Sequence, residues 1–324
     1  MESARHLPET LVEAIRYFAD PDTARDFMVK LRWPDGVVRC PRCGSDQVTL
    51  IASRRIWQCR ERHERRQFTV KVGTIFEDSP LALDKWLTAI WMLANSKNGI
   101  SSYELHRSIG VTQKTAWFML HRIRLAMQDS GTHGGGLSGQ IEVDETFIGG
   151  KARFMHADKR AAKIKGTGGM GKVAVMGLLD RHGPDGHSTV ALKIVPNTRR
   201  RTLAAEVRAR VVPGSEVMTD ALKSYGDLAD DYIHGVIDHA EKYVEGTVHT
   251  NGLENFWSLL KRAVKGTYVS VEPFHLFRYL DEEAMRFNTR RVGDGERFHR
   301  VLRTVSGRRL TYKQLTGKEV PLPA

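Results

Sequence analysis

Two sets of residues in this sequence have the types and spacing to do chemistry. The first is acidic and dispersed: Asp144, Asp220 and Glu254. Carboxylates brought together from such separations repel one another unless they share a divalent cation. Mg2+ or Mn2+ then makes a hard oxygen site with positions left for phosphate and water. Two such ions would activate a water or 3′-hydroxyl and neutralise the leaving oxygen of an in-line displacement at phosphorus. The second set is Cys40, Cys43 and Cys59, with His63. Cys-x2-Cys followed by a second ligand group is zinc-ribbon spacing, because each short loop can deliver two ligands to one tetrahedral ion. A fourth cysteine would complete the pattern at position 62, but that residue is Arg62, and His63 is the chemically sound fourth ligand. The competing reading is a degenerate knuckle with three free thiols.

The chain around these residues is basic. Over 324 residues the net charge is +12 and the pI is near 9.7, which favours a polyanionic partner, nucleic acid first. An anionic membrane surface fits less well, since there is no basic amphipathic helix with a broad apolar face. No run approaches the roughly 20 apolar residues of a membrane span, and the N-terminal stretch lacks a signal-peptide core. The three cysteines all fall within 40–59, which excludes a secreted disulfide framework and suits a reducing cytosol. The expected location is cytoplasmic.

Leu11, Ile15 and Phe18 repeat at helical spacing and Pro21 breaks the run, predicting one or two short helices over 8–31. Asp78-Ser79-Pro80 predicts a capped helix over 81–95, and Ser101 to Glu104 opens another as a capping box. Thr112 starts a third after the turn at Gly110. Two helices joined by a Gly-containing turn make a helix-turn-helix pattern. Within it Gln113, Lys114 and Thr115 are candidates to meet base edges and Arg122 to meet DNA, while Trp117, Leu120 and Ile123 pack. Arg54, Arg55, Arg65 and Arg66 beside the cysteines are candidates for phosphate contacts, with a solvated surface as the alternative. The expected organisation is a helical segment (1–35), a zinc ribbon (36–76) and a helix-turn-helix region (77–128). A Gly-rich linker (129–140), a catalytic domain (141–292) and a basic C-terminal tail (293–324) follow.

After the linker the periodicity becomes strand-like. Residues 140–148 form a strand with Asp144 near its middle; a basic Gly-rich insert (151–171), strands at 172–179 and 189–195 and a helix at 202–211 come next. A short strand at 216–219 leads to Asp220, then helix, strand and the amphipathic helix carrying Glu254. Three strands followed by helix–strand alternation is the order of a ribonuclease H-like α/β fold, a mixed five-stranded sheet with flanking helices. Its first and fourth strands are neighbours, which would bring Asp144 and Asp220 together within reach of Glu254. Competing readings are Asp220 as the cap of a helix beginning at Ala221, and Glu254 with Lys261 as a solvated ion-pair face. Glu142 shares the face of Asp144 and competes with it; Glu145 alternates to the other side. Gly166 to Lys172 fits the start of a P-loop, but Val173 stands where Ser or Thr would bind magnesium and a strand follows. That stretch reads as a basic DNA-contacting loop.

Six stretches, Cys40-Pro-Arg-Cys-Gly, Val72-Gly-Thr-Ile-Phe-Glu-Asp, Thr112-Gln-Lys-Thr-Ala-Trp-Phe-Met-Leu, Val143-Asp-Glu-Thr-Phe-Ile-Gly-Gly, Thr219-Asp-Ala-Leu-Lys-Ser-Tyr and His249-Thr-Asn-Gly-Leu-Glu-Asn-Phe-Trp-Ser-Leu-Leu-Lys-Arg, occur in an order that resembles the bacterial DDE-type insertion-sequence transposases with an N-terminal zinc ribbon and helix-turn-helix. The resemblance covers nearly the whole chain. It implies a ribonuclease H-like core with a metal-bound acidic triad for DNA strand cleavage and transfer, with Asp144 and Asp220 as its first two members. Both Asn251 and Glu254 stand at the start of the last helix; Glu254 is favoured for its charge, and Lys261 on the same face is expected to touch phosphate near the scissile bond. The implied partners are double-stranded DNA, as element ends and target, and further copies of the chain on that DNA, in a bacterial, nucleoid-associated setting. The alternatives are a non-catalytic DNA-binding regulator and a structure-selective nuclease with the same core.

Overall fold

The computed structural model describes residues 7–128, 136–149, 171–183, 186–220, 228–237 and 249–319, with the backbone alone for Asp220 and Ile237. The chain divides into two compact units, Met1–Gln128 with Arg291–Ala324, and Asp129–Arg290.

The first unit starts with α1 (Leu11–Phe18), whose Thr10/Glu13 capping box closes its first turn, and α2 (Pro21–Arg32), with Asp20 as N-cap and Pro21 opening the helix. A small antiparallel sheet follows, β1 (Val48–Ile51), β2 (Ile56–Cys59) and β3 (Gln67–Phe68). Three helices come next: α3 (Leu83–Asn95), α4 (Ser102–Ile109) and α5 (Gln113–Met127). The capping box at Ser101/Glu104, the left-handed Gly110 and the Thr112 cap form the expected helix-turn-helix junction. Helix α3 begins later than Asp78-Ser79-Pro80 suggests. Asp78 adopts a left-handed backbone (φ 58°) and bonds Arg309, while the Ser79 hydroxyl accepts from the Trp86 indole, so neither caps the helix.

The stretch 293–324, read from sequence as a basic tail, belongs to this unit. It carries two helices, α9 (Asp294–Arg303) and α10 (Tyr312–Leu315). Phe298 is fully buried, its ring 4.9 Å from Trp91 and 5.9 Å from Phe18. Thr304 and Arg308 donate to the carbonyls of Ala126 and Leu125, groups that the end of α5 leaves without helical partners.

The second unit is one mixed sheet of β4 (Gln140–Ile148), β5 (Val173–Asp180), β6 (Thr189–Val195), β7 (Glu216–Asp220) and β8 (Ile233–Ile237), in the order β6-β5-β4-β7-β8. The first three strands make an antiparallel meander, and β7 pairs parallel with β4 and with β8. Helix α6 (Arg200–Arg208) covers one face, on which Ile141, Val143, Met176 and Leu178 pack against Leu203 and Val207. Helices α7 (Asn251–Gly266) and α8 (Leu276–Asn288) cover the other, where Val175, Leu179 and Val190 meet Leu253, Phe256, Trp257, Leu260 and Leu280. A mixed sheet with helices on both faces, its first strand beside its fourth, is consistent with the ribonuclease H-like expectation. Leu137 is buried and exchanges backbone bonds with Arg210 and Val212, so the end of the expected linker belongs to this unit. The Gly-rich insert and the helix expected after Asp220 fall outside the described residues, as does most of the stretch resembling a P-loop.

Phe298→Ala is expected to lower the stability of the first unit by about 3–5 kcal/mol, as for a large aromatic removed from a closed core. Urea denaturation followed by tryptophan fluorescence, to which Trp91 contributes directly, measures it. An unchanged midpoint would mean that α9 is not part of that core.

Candidate active site and metal centre

Strand alternation sends Ile141 and Val143 of β4 toward α6 and leaves Glu142 and Asp144 on the face of α7. The Trp257 indole Nε1 donates to Asp144 Oδ2 at 2.8 Å, and the Glu145 backbone N–H donates to Oδ1 at 2.7 Å. Two N–H groups therefore fix the orientation of this carboxylate. Space for the indole exists only because the cross-strand partner of Asp144 is Gly177. A Cβ there would stand 2.7 Å from two carbons of the Trp257 ring and 2.8 Å from a Leu253 methyl.

Glu142, the competitor on the same face, has a different environment. It is 1% exposed, accepts from Arg181 Nε at 2.8 Å and receives the Leu253 backbone N–H at 2.9 Å. It is an internal ion-pair partner of Arg181. Glu254 follows Leu253 directly and is exposed, as are Asn251 and Ser258, while Lys261 is half-buried. Strand β7 lies beside β4 with Val143 opposite Thr219, so the next backbone step along both strands sets Asp220 next to Asp144. The Asp220 side chain lies outside the described residues.

The second centre is in the first unit. A turn closed by Gly44 N–H to Cys40 O (2.8 Å) presents Cys40 and Cys43, and the β1–β2 hairpin returns Cys59 beside them. Among the described residues, Cys40, Cys43, Cys59 and His63 form the one cluster suited to a metal, with ligand atoms all within 4.8 Å of one another. Bonds of about 2.3 Å to sulfur and 2.0–2.1 Å to nitrogen give tetrahedral edges of about 3.8 Å (S–S) and 3.5 Å (S–N). The Cys43–Cys59 sulfurs are 3.7 Å apart and Cys40 Sγ is 3.5 Å from His63 Nε2. The His63 Nδ1 is 2.7 Å from the Glu64 carbonyl, which makes Nδ1 the protonated nitrogen and directs Nε2 at the sulfurs. Burial pushes the Cys59 thiol up to about 11. At Cys40 burial also raises the value, but the Arg42 and Cys43 N–H groups and the neighbouring thiols outweigh it and bring it to about 7. Zinc fits this Cys3His donor set.

Two stretches of the chain match known family models. Residues 136–288 match the ISXO2-like transposase domain, and residues 19–63 match the transposase zinc-ribbon domain. An uncharacterized transposase-like protein of Haemophilus influenzae is 33% identical over 100 residues, covering 31% of this chain and 80% of that protein. The chain belongs to the IS1595-family DDE transposases, with an N-terminal zinc-ribbon domain. An uncharacterized protein in the transposable element ISH50 of Halobacterium salinarum is 29% identical over 260 residues, 76% of this chain and 84% of that one. The transposase-domain match includes Asp144, Asp220, Asn251, Glu254 and Lys261, and the zinc-ribbon match ends on His63.

The DNA-contact candidates divide once the structure is known. Arg122 is buried, with its guanidinium donating to the carbonyls of Ile75, Glu77 and Leu310 and stacked 4.3 Å over Phe118. It braces the first unit and is corrected to a structural residue. Arg55 is held bidentate by Asp22 at 2.7 and 3.0 Å, so part of its charge is answered internally. Gln113 donates to Ser102 across the helix-turn-helix, and the Thr115 hydroxyl meets that of Thr112. Lys114, Arg54, Arg65 and Arg66 are exposed. The sequence reading missed Trp257 and Arg181. The indole sat in the apolar stripe of α7, and only the pairing of its N–H with a carboxylate would have marked it.

Zinc analysis of the purified transposase is expected to find one ion per chain, and Cys59→Ser or His63→Ala to reduce the occupancy. Metal-free wild-type protein that takes up no added zinc would count against the centre. Gly177→Ala is expected to drive α7 off Asp144, seen as a changed Trp257 environment in near-UV circular dichroism. An unaltered spectrum would show that the added methyl is accommodated without disturbing the indole.

Proposed function

We propose that this transposase binds double-stranded DNA at the ends of its own element and performs metal-dependent strand cleavage and strand transfer there. The reading rests on one observation above the others. The helix carrying Glu254 is seated on the strand carrying Asp144 by the Trp257 indole, beside the strand that ends in Asp220. Asp144, Asp220 and Glu254 would hold Mg2+ or Mn2+ on a ribonuclease H-like core, and Asn251, one turn before Glu254, is the alternative third contact. When bound, such ions activate the attacking water or 3′-hydroxyl and neutralise the leaving oxygen.

The chain's own groups do the rest. The Trp257 and Glu145 N–H groups hold the Asp144 carboxylate in one orientation. Lys261, two turns after Glu254 on the same side of α7, would meet phosphate near the cut bond and draw the strand along the helix. The exposed Arg54, Arg65, Arg66 and Lys114 of the first unit would contribute the salt-sensitive part of end binding. Further copies of the chain would act with it on that DNA.

Asp144→Asn, Asp220→Asn and Glu254→Gln are each expected to lower Mg2+-dependent cleavage of labelled terminal-repeat DNA by on the order of a hundredfold or more. That is about 3 kcal/mol of lost transition-state stabilisation. End binding in a mobility-shift assay should be retained. Full cleavage by any one variant removes that residue from the site. A wild-type protein that binds ends without cutting favours the regulator reading, and one that cuts branched DNA without joining favours the nuclease.

A further inference from the structure

The first turn of α7 is where the third metal contact must be supplied, and its backbone is not capped from its own neighbourhood. Thr250, at the N-cap position, gives no side-chain bond to the helix. The Leu253 N–H, a group that a helix start leaves without a partner, is instead taken by Glu142, 111 positions earlier on β4. The carboxylate is 1% exposed, so it faces the positive end of the helix dipole with little water to screen it. Gly252 permits the approach, since a Cβ there would stand 2.8 Å from Glu142 Oε2.

Arg181, just beyond β5, completes the arrangement. Its Nε meets Glu142 Oε1 at 2.8 Å, and its Nη2 donates to the His249 carbonyl at 2.7 Å and lies 2.7 Å from His249 Nδ1. One guanidinium thus ties the capping carboxylate to the backbone immediately before the helix. We infer that Glu142 and Arg181 are positioning residues of the transposase, which fix the height and rotation of the α7 first turn, and so of Asn251 and Glu254, against Asp144. They do so without touching metal or DNA.

A plain stabilising role predicts something different. A buried ion pair adds little stability over apolar residues of the same volume, and its best-attested use is to fix register. Glu142 and Asp144 are two residues apart on one strand face, so a cap made by Glu142 sets the helix relative to the carboxylate it must serve. The inference rests on the catalytic reading proposed above, and the experiment separates the two.

Full-length wild type, Glu142→Gln, Glu142→Ala, Arg181→Lys and Asp144→Asn are compared in two ways. Hydrogen exchange by mass spectrometry over residues 249–256 tests the clamp in metal-free protein, with no need for activity. Exchange is expected to be about tenfold faster in Glu142→Ala, with Glu142→Gln between it and wild type. Cleavage of labelled end DNA against Mg2+ concentration tests positioning. A drop in kcat of about 10–100-fold is expected, as for other groups that support metal ligands. The half-saturating Mg2+ should rise, and the Kd for end DNA should be unchanged. If Glu142→Ala does not fold, Glu142→Gln and Arg181→Lys carry both measurements. Unchanged exchange overturns the clamp. Faster exchange with wild-type kcat and Mg2+ dependence overturns the positioning role and leaves a structural one. Full cleavage by Asp144→Asn, or none by wild type, overturns the catalytic reading and the positioning role with it, and leaves the exchange result to judge the clamp alone.

Discussion

The seat of α7 on the sheet depends on a match of two repeats. Two residues along a strand advance about 6.6 Å, and four along a helix about 6 Å. Glu142 and Asp144 are two apart on β4; Leu253 and Trp257 are four apart on α7. Both hydrogen bonds, Leu253 N–H to Glu142 and Trp257 Nε1–H to Asp144, form together because the helix runs in the same sense as the strand beneath it. The apolar contacts of Leu253, Phe256, Trp257 and Leu260 supply the attraction. They are not directional, so the two polar bonds are what prevent the helix from sliding. Gly177 and Gly252 are the two places where the backbone must come close enough for this to work.

The first unit is held by other means. Its ribbon offers a short three-stranded sheet and few apolar side chains, so zinc at Cys40, Cys43, Cys59 and His63 would do the work a core does elsewhere. The helical part has a true core, and that core is assembled from both ends of the chain. Phe18 and Trp91 come from before the second unit and Phe298 from after it. The catalytic unit is therefore inserted within the fold of the other, and a chain cut near residue 290 would lose a wall of its N-terminal unit.

Much of this was legible in sequence because periodicity and punctuation agreed. The element order, the capping box at Ser101 and the ligand role open to His63 follow from local pattern, and the neighbouring first and fourth strands from the fold that this order suggests. What escaped depends on partners distant in the chain. Glu142 reads as a second strand carboxylate until Leu253, 111 positions on, is seen to donate to it. Trp257 reads as a stripe residue because burial and hydrogen bonding place the same demand on spacing. Arg122, a DNA-contact candidate on the same helix as Gln113, Lys114 and Thr115, turns its side chain inward to three carbonyls. Helix α9 has Phe298, Val301 and Leu302 at helical spacing, and the surrounding arginines hid that stripe.

Glu142 and Asp144 show how a fold gives two like residues different work. Both are carboxylates on the same strand face, under the same helix. Glu142 receives a guanidinium, so its charge is answered inside the protein. Asp144 receives an indole N–H and a backbone N–H, two neutral donors that orient its carboxylate. A divalent cation would gain little from Glu142, because displacing a buried arginine would leave that arginine unpaired in a region poor in water. Exchanging the two residues would not exchange their roles, since the shorter aspartate at position 142 would fall short of Leu253 and a glutamate at 144 would crowd Trp257. The division of labour is set by what each position faces, and the side chains are cut to fit it.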